Sequence, residues 1–379
     1  MDILEKYIKR GFYEISTSYK SKDCIYQWCL DNLSILPSQD FSTQENSQEG
    51  YFPKLEKHFK KEGIDIRNMN EFSSYRHHIC KIELVDSTKV QAFKNKSKYL
   101  NNVLGSDAVI IESISGVERG FSIQIAKNKN EWERLGLEEF KRGLAGLKNK
   151  DDKLGIYLGN DIEKTPFYFD LALTPHLFVA GTTGSGKTAL LKNIILCLLH
   201  SQSIELCIID PKFSSFMEFE NVKNINILGT ERANECIESL IKEMQTRYQK
   251  KAQGESFENM AYKILIIDEL NDLIMQDKNC NASLARLAQK GRECKIHLIL
   301  GTQRPDSQNF DGNLRSNIPS RIALKVQKAS ESKIILDESG AEKLLGSGDM
   351  LVKLNDMPSP KHILAPYLES DEIKRLLKG

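Results

Sequence analysis

HLFVAGTTGSGKTALLKNIILCLL, residues 176–199, decides how this chain is read. An apolar run is followed by the octet GTTGSGKT and then by apolar residues at helical spacing. The octet fits G-x-x-x-x-G-K-[ST], and a strand before it with a helix after it is the setting that motif requires. Gly181, Gly184 and Gly186 let backbone N–H groups turn inward around phosphate oxygens, with Thr182, Thr183 and Ser185 completing the loop. Lys187 is expected to reach the β- and γ-phosphates, and Thr188 to hold Mg²⁺ through its hydroxyl. The helix N-terminus adds favourable positive potential. ATP and Mg²⁺ are therefore the expected cofactors. What the hydrolysis is used for has to come from the other segments.

KILIIDEL (263–270) supplies the second half of such a site. An apolar strand delivers Asp268 at its carboxyl end, where open α/β sheets bind ligands. Asp268 is expected to hold Mg²⁺ through its water shell, and Glu269 to polarise the attacking water. HLILGTQRP (297–305) is a further strand ending in polar residues. Gln303 would stand near the γ-phosphate, or Thr302 and Gln303 would cap the turn before Pro305. His176 has two readings, against the base or ribose or in the core.

Outward from this centre, IELCIID, INIL, KILIID, IHLILGTQ and RIALKV alternate with helical stretches such as ERANECIESLIKEMQTRYQKKA (231–252). That alternation predicts an α/β domain, a mostly parallel sheet covered by helices, over 151–379. A smaller α+β domain is expected over 51–150, where FPKLEKHFKKEGIDI reads as a helix entering a strand, and HHICKIEL, DAVIIESI and RGFSIQIAK read as strands. Residues 1–50 read as a helical segment followed by a polar linker, PSQDFSTQENSQEG (37–50).

The 379 residues carry a net charge of only +1, so no global basic field announces nucleic acid, although a ring or cleft can focus charge locally. The eight cysteines lack paired metal-ligand spacing and read as reduced thiols. The best apolar run is broken by Lys192 and Asn193, and MDILEKYIKRG has no signal-peptide core. A cytoplasmic protein with no membrane partner is expected.

Taken in order, PHLFVAGTTGSGKT, IIDPK, LIIDELNDL, RLAQKGRECKIHLILGTQRP, NIPSRIAL and ILDESGAEKLLGSGDML resemble the motor domain of the FtsK/SpoIIIE family of DNA translocases, which has HerA-type relatives. The resemblance implies a RecA-like P-loop ATPase fold, a homo-hexameric ring, double-stranded DNA in the channel, and ATP held between subunits. It implies an arginine supplied by a neighbour, matched here by Arg292 in QKGREC, with Arg286 as its rival. Arg304 and the basic segment with Arg321, Lys325, Lys328 and Lys333 match the channel-loop region; Arg304, Lys325 and Lys328 are the DNA-contact candidates. The family's TVSSK is KVQKA here, so the basic position has moved. Asp210 and Lys212 of IIDPK are expected to organise the sheet's ligand-side edge, or to couple to a neighbouring subunit.

Cell-division members carry membrane helices, a long linker and a C-terminal winged helix, none of which is read in this sequence. The expected role is therefore a motor recruited by a loading protein that docks through the N-terminal region, in mobile-element transfer or a defence or restriction system rather than septal segregation. The alternatives are a protein-secretion or assembly ATPase on the same fold and an ATP-gated scaffold.

Overall fold

The computed structural model describes residues 50–378 apart from 107, 115, 149–151, 202, 259, 278 and 309. The expected helical segment and linker before Gly50 lie outside the described residues, Gly50 itself excepted.

The first layer is a four-stranded antiparallel sheet: β1 (Ile66–Ser73), β2 (His77–Leu84), β3 (Val109–Ser113) and β4 (Gly120–Ala126), in the order β1-β2-β4-β3. The helix Tyr51–Lys61 covers one face because Leu55 and Phe59, one turn apart, are both fully buried. Phe59 meets Phe93, and Phe93 meets Phe121, at ring separations of 4.8 and 4.6 Å. Cys80, Ile82 and Leu84 of β2 and Phe121, Ile123 and Ile125 of β4 alternate into this core. Their polar neighbours His77, Ser122 and Gln124 are buried on the other face.

The second sheet has ten strands: β5 (Gly155–Asp161), β6 (Pro166–Asp170), β7 (His176–Ala180), β8 (Ile204–Ile209), β9 (Ile225–Leu228), β10 (Tyr262–Ile267), β11 (Ile296–Thr302), β12 (Ser320–Leu324), β13 (Asp349–Lys353) and β14 (Lys361–Leu364). Their order is β6-β5-β14-β13-β12-β7-β11-β10-β8-β9. The six strands from β12 to β9 run parallel, and β13, β14, β5 and β6 add an antiparallel wing. The central strands are buried on both faces, which is why they read as continuous apolar runs rather than alternating ones. Leu177 and Val179 of β7 join one core and Phe178 and Ala180 the other.

The helix Lys187–Leu198 lies in the first of these cores, nine of its twelve residues buried. The polar pair interrupting its apolar run is satisfied there. Lys192 pairs with Glu218 at 2.8 Å, and Asn193 donates to the Pro366 carbonyl at 2.7 Å. No helix among the described residues is long and apolar enough to cross a membrane. Against the other face lie the helices Ala233–Ala252 and Asn279–Lys290, through Ile237, Leu240 and Met244 and through Leu284, Leu287 and Ala288.

Candidate active site

β7 and β11 end side by side, Ala180 opposite Thr302, and β10 ends next to them. Everything following these strands therefore converges on one edge of the sheet. Gly181 donates its N–H to the Thr302 carbonyl (3.2 Å), and Thr182 donates both N–H and hydroxyl to the Lys325 carbonyl (2.9 and 3.0 Å). Gly348 donates to the Ser185 carbonyl at 2.8 Å, so the loop is braced from the antiparallel wing. Gly186 takes φ +104°, and a Cβ there would stand 2.5 Å from the Gly348 nitrogen. Only glycine meets both conditions.

Lys187 opens the following helix with its ammonium 3% exposed, donating to Asp268 Oδ1 at 2.5 Å and to the Asp268 backbone carbonyl. Gly301 lets β11 pass close beside Asp268, since a Cβ there would fall 2.6 Å from the Asp268 backbone oxygen. Glu269, 9% exposed, is held at both oxygens: Thr302 Oγ1 donates to Oε1 (2.7 Å) and the Gln303 N–H to Oε2 (2.8 Å). The Gln303 side chain accepts from Thr183 Oγ1 at 2.6 Å, tying the end of β11 to the loop. Ser185 Oγ is buried with no partner, the one side-chain oxygen in the loop so placed. A larger cavity, about 1030 Å³, lies beside Ser203, Tyr262 and Lys295 at the strands' amino ends, away from this convergence.

A family model, FtsK/SpoIIIE, matches residues 144–263, which contain the loop, its helix and the start of β10. The chain carries an FtsK/SpoIIIE-family domain. It is 37% identical over 252 residues to DNA translocase FtsK of Helicobacter pylori strain J99, across 61% of this chain and 30% of that protein. It is 32% identical over 341 residues to DNA translocase FtsK of Chlorobaculum tepidum, across 82% of this chain and 42% of that protein. The chain thus spans less than half the length of these curated relatives. In fold it is similar to the pCW3 conjugation coupling protein TcpA with ATPγS (TM-score 0.59, 21% identity, 86% of this chain and 98% of that one). It is similar also to the cytoplasmic domain of the type VII secretion ATPase EccC of Thermomonospora curvata (TM-score 0.52, 22% identity, 59% and 31%).

The other residues singled out in the sequence fall into separate places. Arg304, Lys325 and Lys328 are all exposed, after β11 and β12 on the side of the phosphate loop. Asn271 Nδ2 donates to the Arg304 carbonyl at 2.7 Å, fixing that turn to the segment after Glu269. Arg321 does not belong with them. It is buried, donating to Asp337 at 2.6 Å and to the carbonyls of Ile318, Ile335 and Arg315, so it braces the fold instead of facing solvent. Asp210 is fully buried and accepts from the N–H groups of Lys212 and Ser215, shaping the turn after β8, while the Lys212 side chain is exposed. Arg292 and Arg286 are both exposed. His176 is fully buried at the amino end of β7, its Nδ1 accepting the Leu298 N–H, so it sits in the core a strand's length from the loop.

One constellation carries no motif in the sequence. The small sheet reaches the turn before β13 through Arg76, which donates to the carbonyls of Gly346 (2.8 Å) and Ser347 (3.1 Å). Beside it the buried His362 is hydrogen-bonded at Nε2 to Asp349 Oδ1 at 2.6 Å and at Nδ1 to Gln124, whose own amide N–H donates to Glu112. Protonation would give the ring a donor at each nitrogen. Burial opposes its charge, but the Asp349 carboxylate raises it above the ordinary histidine value, and Asp349 is held down at about 2. Ligand atoms of His77, Asp349 and His362 lie within 4.8 Å of one another, a spacing these hydrogen bonds and the His77–His362 ring contact account for. In sequence His362 is an ordinary strand residue, and its role depends on partners 13 and 238 positions away.

The histidines set a pH dependence. Burial pushes His77 and His297 down to about 4 and His176 to about 3. Unfolded histidines titrate near 6.5, so from about 6.5 down to the folded values the unfolded chain binds more protons and stability falls with pH. His362 has the opposite sign: its contribution is complete below about 6.5 and fades as pH rises through its folded value. With three groups against one, the melting temperature should drop between pH 7 and pH 5. His297→Gln should flatten that slope, and an unchanged melting temperature over the interval would refute the assignment.

Proposed function

We propose that this chain is an ATP-hydrolysing motor that moves along double-stranded DNA, working as a homo-hexameric ring with ATP bound between subunits. The observation that carries the reading is the convergence of Lys187, Asp268, Glu269 and Gln303 on one sheet edge beside the glycine-rich loop. The residues present fit a magnesium nucleotide. The Lys187 side chain is nearly dry, Ser185 Oγ is buried and unpartnered, and Gly184 and Gly186 take the positive φ that the tight loop requires. Thr188 and Asp268 would hold Mg²⁺, which when bound neutralises charge on the phosphate oxygens.

The protein's own groups do the rest. Lys187 is drawn from Asp268 toward the β- and γ-phosphates. Glu269, aimed by Thr302 and the Gln303 N–H, orients and polarises the attacking water. Gln303 reads the γ-phosphate position through Thr183, and its neighbour Arg304 is tethered by Asn271, so loss of the phosphate shifts a basic loop. Lys325 shifts with it, because its carbonyl carries Thr182. Exposed Arg304, Lys325 and Lys328 grip phosphates without reading bases. We assign residues 1–50 to docking of a recruiting or loading protein, the compartment to the cytoplasm, and the role to mobile-element transfer or defence rather than septal segregation.

Long duplex DNA of arbitrary sequence should stimulate ATP hydrolysis at low salt, and duplex affinity should fall by about 0.9 log units per log unit of salt for each phosphate neutralised. Lys187→Ala is the inactive control. A purified oligomer that hydrolyses ATP with no response to duplex would overturn the DNA-motor reading in favour of a protein-moving ATPase on the same fold.

A further inference from the structure

Beside the phosphate loop, on the side of its helix, lies a pocket of about 550 Å³. Its floor is Gly184, Gly186 and the first helical turn, Ala189 and Leu190. Two cation–aromatic pairs wall it. The Arg76 guanidinium lies 4.9 Å from the centre of the Trp132 ring, and the Arg134 guanidinium lies 4.4 Å from the centre of Tyr367. Arg76 stands just before β2. Trp132 and Arg134 belong to the link leaving the small sheet, and Tyr367 to the segment after β14.

These walls are held in place. Trp132 Nε1 donates to the Lys127 carbonyl at 3.1 Å, and Arg76 is fixed by the carbonyls of Gly346 and Ser347. The Tyr367 N–H donates to the Leu135 carbonyl at 2.9 Å, closing the two segments on each other. Tyr367 is nevertheless 41% exposed, so ring surface is free to be covered. Arg134 is the adjustable part: its partner Glu369 is as exposed as it is, and such a pair costs little to rearrange. The acidic residue at the rim, Glu133, is occupied by Lys164 at 2.9 Å and Lys127 at 3.7 Å.

We propose that this pocket binds the purine base of the nucleotide, and that Trp132 and Tyr367 are specificity-determining residues that stack on it. The inference rests on the ATPase reading. With the β- and γ-phosphates at Lys187 and the loop amides, the α-phosphate and its nucleoside leave past the first turn of the helix, and the pocket opens there. Its chemistry suits a flat, electron-rich heterocycle: aromatic faces give area, and the guanidinium planes give cation–π and stacking partners. The histidine nearest the loop in sequence, His176, is out of reach in the core.

The test compares Mg–ATP with Mg–tripolyphosphate, which has the phosphates and no base. The unaltered protein should bind ATP more tightly than tripolyphosphate. Trp132→Ala and Tyr367→Ala should each weaken ATP about 5- to 150-fold, since losing a base–aromatic stack costs about 1–3 kcal/mol. Tripolyphosphate affinity should stay unchanged. Trp132→Phe and Tyr367→Phe keep a ring and should retain most of the preference for ATP, which a merely structural role would not distinguish. Equal weakening of both ligands, or unchanged ATP affinity in both alanine variants, would overturn the pocket. Tripolyphosphate bound as tightly as ATP by the unaltered protein would sink the pocket and leave the phosphate site standing. Binding of neither ligand would sink the ATPase reading itself.

Discussion

Glu269→Gln should leave ATP binding intact and lower steady-state hydrolysis by about 10²–10⁴-fold, the usual size of a general-base contribution. The substitution keeps the local shape. The glutamine carbonyl can accept the Gln303 N–H in place of one carboxylate oxygen, and its amide N–H can donate to Thr302 Oγ1 in place of the other. Thr302 Oγ1 stands 3.2 Å from the Arg304 carbonyl, so its own hydrogen has another acceptor when the hydroxyl turns. Only basicity is lost. Affinity for a slowly hydrolysed ATP analogue should therefore match the unaltered protein, while turnover collapses and the ATP-bound assembly persists. A loss smaller than about tenfold would mean that another group polarises the water.

The parts of this fold that can be read from sequence are those whose signal is local. The parallel strands are apolar runs because helices cover both faces, and Lys187, Asp268, Glu269 and Gln303 follow such runs at short distance. The antiparallel wing gives weaker signals: β5 pairs with β14 some two hundred residues later, and Gly159, at φ +143°, interrupts its register with β6. Basic residues in sequence do not announce their surroundings. Arg321 and Lys325 are four apart in one stretch, yet Arg321 is buried and paired with the exposed Asp337 while Lys325 faces solvent. Arg76 and Trp132 belong to the small sheet and its exit, and their importance follows from a turn 270 residues downstream of Arg76. No pattern short of the folded chain joins them to the phosphate loop.

Arg292→Ala should preserve nucleotide binding by each subunit and reduce hydrolysis by about 10³–10⁵-fold, the worth of an arginine acting on phosphoryl transfer from outside the site. The placement of Arg292 separates it from its own subunit's site. It precedes β11, and Gln303 follows that strand's end; seven residues at about 3.3 Å each put roughly 20 Å between them. Its charge helps keep His176 and His297 neutral at the strands' amino ends, the edge away from the loop. An arginine that is exposed there can act on phosphate only in a neighbouring copy. Subunits carrying Arg292→Ala keep an intact Lys187, and subunits carrying Lys187→Ala keep an intact Arg292. Mixing the two inactive variants should therefore restore part of the hydrolysis at interfaces where one supplies the loop and the other the arginine. Arg286→Ala should leave turnover near that of the unaltered protein, since Arg286 is the rival for the same role. Normal turnover by Arg292→Ala, or no recovery on mixing subunits that exchange, would refute the assignment in trans.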